Sequence, residues 1–281
     1  MNRKRLLFGL AALVVAFGAW TQVNGLTPKK STSNPAAPVS SETAPSSPSA
    51  PESPQSALVM ANLPERTIEH DPAGIAVVTN ADAMLVLANK QRNLPSDYEP
   101  DDLVVPKVAF SFSGDSPKKQ MREEAAHALE TLFAAAENEN IDLKAVSGYR
   151  SYATQKSLFA YYASQHGEDE AARFSARPGQ SEHQTGLSMD VSSASVGYGL
   201  EERYGETPEG RWLVAHAAEH GFIIRYPKGK EKVTGYTYEP WHIRYVGQDV
   251  AKQIMDKGIT LEEFFDAVAV SADKPEGTTV K

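Results

Sequence analysis

The residues best equipped for chemistry fall in two short stretches, SEHQTGLSMD at Ser181 to Asp190 and EPWH at Glu239 to His242. They offer His183, Asp190 and His242 as metal ligands of imidazole and carboxylate type, with Glu239 as a further carboxylate beside the third. Three such ligands with a fourth position left for water is the pattern of a catalytic zinc site rather than a structural one. A glutamate outside the ligand set suits metal-assisted hydrolysis, where a base must take a proton from water. The chain has no cysteine, which excludes thiolate ligands, a thiol nucleophile, a disulfide framework and a lipid-modified cysteine. Any metal must be held by histidine and carboxylate. His216 and His220 are spaced like the pair of a zinc-binding helix, but Ala217 stands where that motif needs glutamate, so they are not taken as ligands.

The elements around these residues must bring them into one cleft. His183 and Asp190 are an odd number of positions apart, so on one unbroken strand they would face opposite sides of a sheet. Gly186 supplies the break: a turn over Gln184 to Gly186 before a strand over Leu187 to Val191 lets both point the same way. His242 belongs to a strand over Trp241 to Val246, and Glu239 hangs from the loop before it, restricted to extended geometry by Pro240. Spacing alone does not separate this from a hydrogen-bonded loop histidine, a turn acid and a half-buried sheet histidine.

Further strands are expected at Gly74 to Thr79, Met84 to Ala88, Leu143 to Val146 and Phe222 to Tyr226, with a short extended piece in Asp101 to Pro106. Ser116 and Pro117 read as the start of a helix that runs to the Asn138 to Asn140 stop. Helices also follow over Ser151 to His166, from Thr207 to His220, over Gln248 to Lys257, and over Leu261 to Val268 with Thr260 and Glu263 as a capping box. Strands and helices intermix without β-α-β alternation, which predicts an α+β fold, a small mostly antiparallel sheet flanked by helices.

The ends have a different composition. Residues 1–26 join Arg3, Lys4 and Arg5 to an apolar run, the form of a signal peptide or signal anchor. The run falls short of the roughly 20 residues that span a bilayer, which favours cleavage. Residues 27–57 are rich in Ser, Pro and Ala and read as a disordered tether. A single domain over 58–270 and a flexible tail over 271–281 complete the expected organisation, that of an exported, envelope-located protein, secreted or membrane-anchored. The net charge of -8 and the lack of a basic block beyond the first residues exclude a generic nucleic-acid binder.

SGYRS at Ser147 to Ser151 with Gln155, SEHQTGLSMDV at Ser181 to Val191 and EPWHIRY at Glu239 to Tyr245 together resemble the signature of the VanY-like D-alanyl-D-alanine carboxypeptidases. These are zinc peptidases that trim peptidoglycan stem peptides. LANKQRNLPSDYEPDDLV at Leu87 to Val104 also resembles the family, and the likeness, which spans Met84 to Phe265, is to the branch that includes L,D-carboxypeptidases. The resemblance implies Zn2+ on His183, Asp190 and His242, and Glu239 as general base and acid. It also implies that Arg150 stabilises the oxyanion while Ser181 and Gln155 hold the peptide. Trp241, beside His242, is a candidate for the pocket wall. The implied activity is release of a C-terminal D-alanine, from either a D,D or an L,D bond. The rival readings are a crosslink-cleaving endopeptidase and a non-catalytic peptidoglycan-binding module; the latter would be expected to lose Glu239 or a ligand, and none is lost.

Overall fold

In SMDVS, Ser188 to Ser192, the apolar Met189 and Val191 alternate with Ser188, Asp190 and Ser192, and a period of two puts the two sets on opposite faces of a strand. That alternation sets the centre of the molecule, a computed structural model that describes residues 54–272. The expected signal segment lies outside the described residues, as do most of the linker and of the C-terminal tail. The described residues begin with α1 (Pro54–Ala61), the hairpin β1 (Ile68–His70) and β2 (Ala76–Val78), then β3 (Leu103–Val104), β4 (Met121–Arg122) and α2 (Glu123–Asn138). It continues through β5 (Lys144–Ser147), α3 (Tyr152–His166), α4 (Glu168–Phe174), β6 (Ser188–Ser192), α5 (Pro208–His216) and β7 (Phe222–Tyr226). The last elements are α6 (Glu231–Thr234), β8 (Glu239–Tyr245), α7 (Gln248–Lys257) and α8 (Leu261–Ala272). The fold is α+β, as the intermixed pattern implies.

Four strands make the main sheet, in the order β5-β6-β8-β7, every neighbour antiparallel. One face presents Ala145, Met189, Val191, Phe222, Ile224, Ile243 and Tyr245 to a core completed by α2, whose Ala125, Leu129, Leu132 and Ala136 are fully buried at helical spacing. The opposite face carries Ser147, Ser188, Asp190, His242 and Arg244. A second apolar cluster joins α1, α7 and α8 through Val59, Leu63, Val250, Ile254, Phe264 and Phe265. α1 therefore overlaps the end of the segment read as linker: the burial of Val59 and Leu63 offsets the entropy of ordering it.

Three further expectations need correction. Met84 to Ala88, buried from Leu85 on, forms no strand, because Arg244 Nη2 donates to the carbonyls of Met84 and Val86 and Arg92 Nε to that of Leu87, replacing a ladder. Ser116 and Pro117 open only a 3-10 turn, Pro117–Lys119. The helix starts later, at Glu123, because Met121 pairs with Val104 and the Arg122 amide donates to Gly186 O. Glu239 is the first residue of β8, opposite Tyr226, instead of hanging from a loop. The capping box is present: Thr260 N donates to Glu263 Oε2 at 2.8 Å and Glu263 N to Thr260 Oγ1 at 3.2 Å.

The break before β6 is a 3-10 turn, Glu182–Thr185, closed by Gly186 in the left-handed region at φ 68. A Cβ there would lie 2.9 Å from Arg122 Cγ and from Leu103 Cδ2. Gly186→Ala should therefore cost about 1–3 kcal/mol from backbone conformation alone. The check is a fall in the urea midpoint at unchanged m-value.

Candidate metal centre

Register brings the first two ligands together. Asp190 on β6 lies directly opposite His242 on β8, and Ser147 on β5 lies opposite Asp190 from the other side. Side chains opposed on neighbouring antiparallel strands share a face about 5 Å apart. His242 Nδ1 is accordingly 3.0 Å from Asp190 Oδ1. The 3-10 turn brings His183 over the same spot, with Nε2 3.4 Å from Asp190 Oδ2. The two imidazoles stand edge to face, their centroids 4.8 Å apart. All three residues are buried, and their ligand atoms lie within 4.8 Å of one another.

The donor set fits a zinc ion. His183 Nδ1 donates to Gly148 O at 2.8 Å, which fixes the tautomer and leaves the Nε2 lone pair facing Asp190. Position 148 itself admits only glycine, because a Cβ there would sit 2.4 Å from Gln120 O and 2.9 Å from Met189 Cε. Burial, aided by Arg150 and His242 and opposed by Asp190, takes the His183 pKa down to about 3, so the ring is a neutral donor. Burial opposes ionisation of Asp190, but His183, His242 and Arg150 keep its carboxyl below the usual range. Burial also opposes the His242 imidazolium, yet Asp190 and Glu182 raise its pKa to about 9. Two imidazoles and one carboxylate converging in a buried cluster are the ligands that zinc takes in open, catalytic sites.

The cluster forms part of the wall of a cavity of about 300 Å³, shared with Arg150, Ser181, Glu239 and Trp241. Burial raises the Glu239 pKa to about 7, with Asp190 adding to the rise and His242 and Arg150 opposing it. Arg150 Nη1 donates to Gln155 Oε1 at 2.8 Å and Nη2 to Ser147 Oγ at 3.2 Å. Gln155 Nε2 is itself held on Ala176 O at 2.6 Å. Gln155 is thus committed at both ends in this arrangement, fixing the guanidinium. The Ser181 hydroxyl caps no helix and lines the cavity, as does the half-buried Trp241. All eight residues singled out in the sequence meet here, seven at the cavity wall and Gln155 behind Arg150. His216 and His220 sit elsewhere, the first stacked on Trp212 and the second paired with Thr131.

Sequence reasoning missed the charges behind the site. Glu182 accepts from Arg225 Nε at 2.8 Å and Arg244 Nη1 at 2.7 Å, all three side chains fully buried. A signal for them exists in FIIRY and HIRY, where a lone arginine interrupts an apolar strand and so demands a buried partner.

Residues 118–248 match the family model described as VanY: D-alanyl-D-alanine carboxypeptidase. YodJ of Bacillus subtilis (strain 168) is 52% identical over 195 residues, covering 69% of this chain and 71% of YodJ. Among solved structures, the LdcB LD-carboxypeptidase, described with the molecular basis of peptidoglycan recognition, is 51% identical with a TM-score of 0.69, over 71% of this chain and 92% of that one. The vancomycin resistance D,D-pentapeptidase VanY, as a point mutant in complex with Zn(II), is 30% identical with a TM-score of 0.52, over 64% of this chain and 98% of that one.

Metal uptake can be measured without substrate. Zinc added to chelator-treated protein should raise the thermal midpoint, with about 2.7 kcal/mol of stabilisation at a hundredfold excess over Kd. Asp190→Ala should abolish that rise in the same calorimetric scan.

Proposed function

This chain belongs to the VanY family of D-alanyl-D-alanine carboxypeptidases, and from that premise we propose that it is a zinc-dependent enzyme releasing the C-terminal D-alanine of peptidoglycan stem peptides. The observation that carries the reading is the buried His183, Asp190 and His242 cluster, with Glu239 on the wall of the same cavity. Held by those three ligands, zinc would supply Lewis acidity, lowering the pKa of water to about 7 and polarising a carbonyl oxygen.

The protein's own groups do the rest. Glu239 takes a proton from water as its oxygen bonds to the scissile carbonyl carbon, then delivers it to the departing D-alanine amine as the C–N bond breaks. A pKa pushed up to about 7 by burial suits both halves of that shuttle. Arg150, fixed by Gln155 and Ser147, presents a permanent positive charge to the developing oxyanion. Ser181 and Trp241 offer a hydroxyl and an indole face to the peptide from the cavity wall. The stronger likeness is to the L,D-carboxypeptidase, so the bond before the terminal D-alanine of a tetrapeptide is the first to test. The apolar run after Arg3, Lys4 and Arg5 supports a place outside the cytoplasm, where such wall peptides are found.

Chelation should stop D-alanine release from a stem tetrapeptide and zinc should restore it, followed as the mass loss of one alanine; release that survives chelation sinks the zinc reading. A pentapeptide and a crosslinked dimer in the same assay separate L,D-carboxypeptidase from D,D-carboxypeptidase and endopeptidase. Glu239→Gln should lower kcat by about 10²–10⁴-fold while zinc content, read by elemental analysis, stays at that of the unaltered protein. The base acts when deprotonated, so kcat/KM should fall as pH falls through its pKa. A neighbouring dication lowers that pKa, placing the acid limb of the profile at or below about 7.

A further inference from the structure

Glu182 precedes a metal ligand in sequence and is 1% exposed, yet the chemistry above gives it no part. Its two oxygens have different surroundings. Oε1 accepts from Arg225 Nε at 2.8 Å and from Arg244 Nη1 at 2.7 Å. Oε2 accepts from Ser188 Oγ at 3.4 Å and faces His242 Nε2 at 3.7 Å. That Nε2 atom is buried and has no hydrogen-bond partner among the described residues, whereas Nδ1 of the same ring meets Asp190.

The arginines are held in turn. Arg225 makes a forked contact to Glu262 on α8, at 2.9 Å and 2.6 Å, and Asn89 Nδ2 donates to Glu262 Oε1 at 3.2 Å. Arg244 is spent on carbonyls of Met84, Val86 and Tyr245. Two buried guanidiniums and two carboxylates balance in charge, and the desolvation cost of each is met by directed hydrogen bonds. The pair on Oε1 fixes the carboxylate plane and leaves Oε2 turned to the imidazole.

We infer that Glu182 is a positioning residue for the metal centre, holding the Nε2 proton of His242 so that the Nδ1 lone pair is presented beside Asp190, and that the Arg225–Glu262 contact makes α8 part of the same support. The inference rests on the zinc reading above. An imidazole can give a metal only the nitrogen that carries no proton, and a carboxylate at the other nitrogen decides which that is. A glutamate serving stability alone would need Oε1 and its two arginines but no orientation toward His242.

The experiment measures zinc affinity by competition with a chromophoric chelator, well below the melting temperature, for the unaltered protein, Glu182→Gln and Glu262→Gln. Alongside it, nitrogen-15 correlation spectra of the zinc-loaded unaltered protein show which His242 nitrogen carries a proton. The expected results are a 10–100-fold weaker zinc affinity for Glu182→Gln, a smaller loss for Glu262→Gln in a folded protein, and a proton on Nε2. A folded Glu182→Gln that binds zinc as tightly as the unaltered protein overturns the inference, as does a proton found on Nδ1. Should Glu182→Gln not fold, the Glu262→Gln affinity and the tautomer still decide: undiminished affinity in the first, or the wrong proton in the second, overturns it. Unaltered protein that takes up no zinc at all fails the metal reading itself, and this inference with it.

Discussion

One rung of the sheet governs the rest of the site: Asp190 on β6 opposite His242 on β8. A shift of one residue in that pairing would send every side chain of β6 to the other face. Met189 and Val191 would meet the cavity and its charges, and Asp190 would enter the apolar core. The hydrophobic alternation that builds the core therefore also sets the ligand positions, and the two cannot be varied separately. His183 is brought to that rung by a 3-10 turn and a glycine at positive φ, and Ser147, on the neighbouring strand, steadies Arg150 from the same face.

Much of this could be read from the chain because it is encoded locally. Residue types and spacing marked His183, Asp190, His242 and Glu239, and Gly186 marked the bend between the first two. The capping box at Thr260 and Glu263 is written in adjacent residues, and it is formed. The failures have a common cause in distant partners. Met84 to Ala88 has the composition of a strand, but the carbonyls of Met84 and Val86 are satisfied by Arg244, far along the chain. The start of α2 yields to pairing between Met121 and Val104 and to a bond with Gly186. Periodicity cannot see such competitors, since it records only which residues seek burial.

The polar face of the sheet shows how charge is stored in a buried place. Arg225, Arg244 and Glu182 are each fully buried, and burial alone would drive the glutamate to neutrality. The arginines reverse this and hold its carboxyl well below the usual carboxylate range. Removing any one member would strand an unpaired charge, at about 3–5 kcal/mol, although a well-packed apolar replacement of the whole set can be neutral or stabilising. Their presence is thus weak evidence for stability and better evidence for the need to orient something beside them.

The contact of Arg244 with the carbonyls of Met84 and Val86 has a further consequence, in the order of assembly. The two sides of that contact are 160 and 158 residues apart. Loop closure over such a span is slow to be rewarded, so structures rich in these contacts fold late and as a whole. The segment at 84–88 forms no ladder, and Arg244, which holds two of its carbonyls, lies on β8, the strand that also carries His242. The Arg244 contacts with that segment and the third ligand, His242, therefore both wait on the same strand. A chain still emerging in synthesis would hold His183 and Asp190 without the strand that makes them a site.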